Sequence, residues 1–152
     1  MSIIRNSRHT MLLGLCFLAG CRAFDSSAPV TLPEASEIDV ITVTQELGVI
    51  ERGETRRIVD PAKIARFVQF INEHNEGWHV PWYTFPAGAY TVTVEKGDDI
   101  IAVFWSSSGS LGVGPSAGFI GGRAGDQDAT DNRLIKLAED DWQELAEILN
   151  IR

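Results

Sequence analysis

Cysteine is nearly missing from this chain: two among 152 residues, Cys16 and Cys21, both close to the front. Methionine and tyrosine are equally scarce, at two each. No apolar run reaches the roughly 18 residues that a bilayer-crossing helix needs. Positive charge is also short, with 13 Lys and Arg against 21 Asp and Glu, a net charge of −8. Such a surface repels phosphates, so nucleic acid is not an expected partner. The hydrophobic content of 44% and charged content of 22% exclude wholesale disorder and collagen-like repetition, and the length suits one domain.

The first residues read as an address. Arg5 and Arg8 precede the short apolar core Met11 to Leu18, and the small pair Ala19-Gly20 follows it. A basic start, a brief apolar middle and small residues at its end make a secretory signal, expected over residues 1–20. Leu18-Ala19-Gly20-Cys21 resembles the lipobox of bacterial lipoproteins. The resemblance implies diacylglycerol transfer to the Cys21 thiol, cleavage before Cys21 and acylation (palmitate among the chains) of the new terminus. Arg22, in place of an aspartate, tilts the expected location toward the outer membrane rather than the inner one. Cleavage removes two arginines and no acid, which leaves 11 basic and 21 acidic residues, a net −10. Cys16 leaves with the signal and Cys21 becomes a thioether, so the mature chain is expected to have no thiol for a disulfide, a nucleophile or a metal. Anionic headgroups repel so acidic a body, and attachment to the membrane should rest on the acyl chains of Cys21.

Residues 21–37 read as a lipidated tether, rich in Ser, Ala, Pro and acid, whose 15 residues Ala23 to Glu37 span up to about 45 Å. A single domain is expected over residues 38–152. Asp39 to Gln45 is β-branched and predicts a strand; Glu51 to Glu54 predicts a turn, and Thr55 to Val59 a second strand. Asp60-Pro61 opens a helix, with Ile64, Phe67, Val68 and Ile71 on its apolar stripe and an end near His74, before Gly77. Ala89 to Glu95 alternates as a half-buried strand, Lys96 to Asp99 is a hairpin turn, and Ile100 to Trp105 reads as an interior strand. Ser106 to Ser110 predicts a turn and Leu111 to Val113 the start of a strand. Glycines 112, 114, 118, 121, 122 and 125 then predict a loop. Arg133 to Leu137 predicts a short strand. A final helix starting about Asp140 has an acidic first turn that suits the helix dipole. The fold class expected is α+β: a two-layer sandwich, an antiparallel sheet of four to six strands with two helices packed on one face.

Trp78-His79-Val80-Pro81-Trp82-Tyr83-Thr84-Phe85-Pro86 packs four aromatics, an imidazole and two prolines into nine residues. A stiff aromatic segment suits a binding surface, because ordering it costs little side-chain entropy. The plain alternative is that its rings cover the sheet and complete a small core. As a binding surface it would use Trp78, His79, Trp82, Tyr83 and Phe85, with Trp82 and Tyr83 the leading contacts. Asp126, Asp128 and Asp131 form a weak metal candidate. An EF-hand needs glycine at its sixth position and glutamate at its twelfth, where this chain has Asp131 and Leu137. Gly112 to Gly118 lacks the lysine and following helix of a phosphate loop, and Pro115 removes an amide donor. His74 and His79 do not match a zinc-protease spacing, and no serine sits in Gly-x-Ser-x-Gly. No catalytic residue and no cofactor are expected.

The run from Ile58 to Phe119 is similar to small uncharacterised bacterial lipoproteins. The pieces in common are Asp60-Pro61-Ala62-Lys63-Ile64, Trp78-His79-Val80-Pro81-Trp82 and Gly112-Val113-Gly114. The resemblance implies an α+β domain and carries no activity onto particular residues. The function expected is a non-catalytic interaction module of the cell envelope with a protein partner. The rivals are a carbohydrate or peptidoglycan binder on the same aromatic segment, and a cell-wall hydrolase with His79 as base.

Overall fold

The computed structural model describes residues 29–47, 52–80, 89–108, 118–124 and 133–151. Its elements run β1 (Val40–Glu46), β2 (Arg52–Ile58), α1 (Pro61–Glu73), β3 (Tyr90–Lys96), β4 (Asp99–Ser108), β5 (Gly118–Ala124), β6 (Arg133–Leu137) and α2 (Glu139–Leu149). The strands form one sheet of six in the order β2-β1-β3-β4-β5-β6, with every neighbouring pair antiparallel. Both helices pack on one face, and the α+β sandwich is the fold of this chain.

Strand alternation makes the inner face. Ile58, Ile41, Val94 and Ala102 lie in one cross-strand row, and Val43, Val92, Phe104 and Gly122 in the next but one. The aliphatic and aromatic members of these rows are buried in one cluster with Ile64, Phe67, Val68, Phe70 and Ile71 of α1 and Leu145, Ile148 and Leu149 of α2. Phe67 meets Phe104 edge to face, ring centres 5.7 Å apart and planes at 84°, a favoured geometry for the two quadrupoles. The outer face is carried by threonines 42, 44, 91 and 93 with Val103 and Trp105, all half-buried.

Helix α1 starts as expected: the Asp60 carboxylate accepts from the Ala62 amide at 2.9 Å, and Pro61 takes the first helical position. It enters from β2 at one edge of the sheet, and the chain leaving it bonds to β6 at the other edge, so α1 runs across the strands. Helix α2 returns antiparallel beside it. Lys63 reaches the Asn150 side chain (2.7 Å), Arg66 reaches Glu147 (3.1 Å), and His74 Nε2 lies 3.5 Å from Asp141.

Three readings of the sequence need correction. First, β4 continues through Ser106 to Ser108 instead of turning there, because β5 pairs with it along that stretch. Second, residues 118–124 form an interior strand rather than a glycine loop. Gly121 stands opposite Trp105 and Gly122 opposite Phe104, whose ring fills the space a side chain on Gly122 would take. The expected strand start at Leu111 to Val113 lies outside the described residues. Third, the body begins before Ile38. Val30 and Leu32 are buried in the main cluster, and a 3-10 turn over Ala35–Glu37 leads into β1.

Asn72 fixes this N-terminal strap. Its side-chain oxygen accepts from the Leu32 amide (2.8 Å) and its nitrogen donates to the Leu32 carbonyl (3.1 Å). Replacing Asn72 with alanine leaves both backbone groups of Leu32 without these partners, and should cost about 1–3 kcal/mol. Amide hydrogen exchange at Leu32 should then accelerate while that of Val92 in β3 stays slow. Equal protection of Leu32 in the variant and the parent would contradict this role.

Candidate functional site

The aromatic segment divides. Trp78 is 1% exposed and belongs to the core, its indole N–H donating to the carbonyl of His74. It is therefore a packing residue, a correction to its expected place on a contact surface. The reason is that Gly77, at φ +80°, turns the chain back after α1 and brings Trp78 onto the sandwich. His79 is half-buried and forms a two-way backbone bridge with Leu134, which covers part of the free edge of β6. Its Nδ1 lies 3.3 Å from the Gly77 carbonyl, and among the described residues no carboxylate orients the ring as a base would require. Trp82, Tyr83 and Phe85 lie outside the described residues, as do Asp126, Asp128 and Asp131.

His74 closes α1. Its ring stacks on Phe70 at 4.1 Å and its Nδ1 is 2.7 Å from the Phe70 carbonyl, while Nε2 faces Asp141 of α2. These contacts make it a brace between the helices. Among the described residues no three His, Cys, Asp or Glu side chains gather as metal ligands would.

A different concavity emerges where β1, β2 and β3 meet the end of α2. It is a groove of about 630 Å³, lined among the described residues by Gln45, Arg56, Tyr90, Ala146, Glu147, Asn150 and Ile151. A small inner recess between Val43, Glu54 and Tyr90 opens from the same wall. Arg56 is held from two sides. Its Nε and Nη2 donate to the Glu54 carboxylate (3.0 and 2.7 Å), and Nη1 donates to the Asn150 carbonyl.

That second contact has an electrostatic logic. The last turn of α2 contains no basic residue, and its C-terminal end carries partial negative charge. Asn150 turns the chain in the left-handed conformation (φ 53°), and its amide and that of Ile151 satisfy the carbonyls of Glu147 and Ala146. Arg56 and Lys63 supply the missing cations from β2 and α1. Hydrogen bonding from Arg56, and then its charge, hold the Glu54 carboxyl below its usual range. The same hydrogen bond raises the Arg56 guanidinium. The pair therefore contributes above the ordinary carboxylate range and is lost as pH falls through the lowered value of Glu54; exposed as it is, it contributes little to stability.

No protein-family model, curated protein or solved structure matches this chain. Among the described residues, no helix is long and apolar enough to cross a membrane.

The groove was not legible in the sequence because its walls come from residues 45, 56, 90 and 146–151, which only the strand order brings together. A usable signal did exist. Glu54 and Arg56, of opposite charge, lie two residues apart and so on one face once the second strand is extended back to Arg52.

Proposed function

We propose that this protein is a lipid-anchored module of a bacterial cell envelope, held by Cys21 and acting by non-catalytic contact with another envelope protein. The observation that carries the reading is the Leu18-Ala19-Gly20-Cys21 sequence at the end of a short apolar segment, so close to the folded body. Only the residues 22–29 separate Cys21 from Val30, which is already buried in the core. Fully extended, that spacer reaches roughly 30 Å, against the 45 Å or so of the longer tether read from composition. The body would thus ride close to the bilayer.

Trp82, Tyr83 and Phe85 are the proposed contacts. The segment carrying them leaves beside β6, where His79 is bonded to Leu134, and returns into β3. Fixed ends of this kind lower the ordering cost of binding, which supports the choice. Arg22 after the anchor favours the outer membrane over the inner.

The anchor is tested on material expressed in a bacterial host. Mass spectrometry should find a chain starting at Cys21 with acyl mass added, and Cys21→Ser should move the protein from the membrane pellet to the soluble fraction. An unprocessed start, or a free thiol at Cys21, overturns the proposal.

A further inference from the structure

We infer that the open face of the sheet, opposite the two helices, docks an acidic patch of a partner protein. The inference rests on the proposed contact role, to which it gives a second place and a partner chemistry, and does not depend on the anchor.

Charge is divided between the two layers. Helix α1 carries Lys63, Arg66 and Glu73, and α2 carries Glu139, Asp140, Asp141, Glu144 and Glu147, so the helical layer is net −4. On the open face Arg52, Arg57, Arg123 and Lys136 stand with Glu46 and Glu95, net +2. Strand alternation fixes this placement. Arg57 precedes the buried Ile58, Arg123 lies three residues past the buried Ile120, and Lys136 sits between the buried Ile135 and Leu137. Arg52 is opposite Glu46, whose carboxylate accepts from the Thr91 hydroxyl on that face at 2.9 Å. On a chain of net charge −8, a positive face attracts what the remaining surface repels.

Arg57 and Arg123 end one cross-strand row, Arg57–Thr42–Thr93–Val103–Arg123, four strand spacings or about 19 Å long. Neither has an ion-pair partner among the described residues, so no existing pair must break when an acid arrives. Beside it runs the row Thr55–Thr44–Thr91–Trp105, with its indole half-buried. Arginine and tryptophan are the side chains that protein interfaces favour. Both helices pack on the other face, so no described helix covers this one. Four rows about 7 Å apart give an area of roughly 400 Å², half of what a standard interface buries per partner. The contact is therefore weak and reversible. A bilayer or a nucleic acid spreads negative charge well beyond that area and would meet Asp98 and Asp99 at the tip of the β3–β4 hairpin, whereas a compact acidic patch does not.

The test is a titration of the isotope-labelled full chain, carrying Cys21→Ser so that acyl chains play no part, with decaglutamate. Backbone amide resonances report it. Saturable shifts are expected at Thr42, Arg57, Thr93, Val103 and Arg123, with α2 unmoved. The double variant Arg57→Gln/Arg123→Gln should weaken binding by about tenfold, the loss of two exposed ion pairs, with an unchanged melting temperature. Lys63→Gln/Lys96→Gln removes as much charge elsewhere and should change binding by less than about twofold, because screening confines the attraction to the face that makes it. Raising the salt from about 0.1 to 1 M, which shortens the screening length from about 10 to 3 Å, should weaken binding to the parent more than to the arginine variant. No saturable shift up to about 10 mM, in the weak range of affinities, overturns the inference. So do shifts confined to the helical layer, equal losses in the two double variants, or stronger arginine-dependent binding to phosphatidylglycerol vesicles than to the peptide. None of these outcomes bears on whether Cys21 of the parent is acylated, so the two proposals fail separately.

Discussion

Gly122→Ala is expected to lower the unfolding free energy by about 3 kcal/mol, at the upper end of what overpacking costs. A methyl group placed on Gly122 would lie 2.2 Å from Cδ1 of Phe104 and 2.7 Å from its Cε1. The ring cannot step aside freely. Phe104 has no exposed surface and is held edge-on by Phe67 of α1, so moving it disturbs the sheet–helix contact at the centre of the core. Urea denaturation should show the loss as a shifted midpoint with an unchanged slope. Adding Phe104→Leu to Gly122→Ala should recover part of it, since the two residues share one space and are coupled. A midpoint within error of the parent for Gly122→Ala would mean that the strand pair is not packed as described.

Trp78→Ala should cost about 3–5 kcal/mol, the range for removing a large buried aromatic side chain. The indole is 1% exposed and sits in the cluster that joins both helices to the sheet. Trp78→Phe separates two contributions. It keeps most of the apolar area but leaves the His74 carbonyl without its indole donor, so about 1–3 kcal/mol of loss should persist. If instead Trp78 were a contact residue on the surface, both substitutions would leave thermal unfolding almost unmoved.

Much of the frame was legible because local signals and tertiary packing agree. Asp60 and Pro61 cap α1, Ile64, Phe67, Val68 and Ile71 line its buried side, and the alternation of β3 marks its inward residues. Where reading failed, one residue type served two purposes. Glycine usually ends a strand, but Gly122 continues β5 because the Phe104 ring opposite it fills the space of a side chain. That compensation comes from another strand and leaves no trace in the local pattern. The strap failed for a related reason. Val30 and Leu32 are two apolar residues in a stretch of proline, serine and acid, and the partner that fixes them, Asn72, is 40 residues beyond Leu32. The aromatic segment was read as a unit although Trp78 belongs inside; its burial depends on the turn at Gly77, which spacing alone does not give.

The strap bound to Asn72 also decides how tension enters the molecule. A pull on the front end reaches Val30, Leu32 and the two hydrogen bonds of Asn72, and then the contacts of Ala35 to Asp39, before it reaches β1, which is flanked on both sides by other strands. Peeled away, residues 29–37 would reach at most roughly 30 Å. The sheet itself would stay intact, and the fastening could re-form once the force is gone. The front of the fold would then behave as a mechanical fuse, absorbing sudden strain before it is transmitted to the rest of the structure.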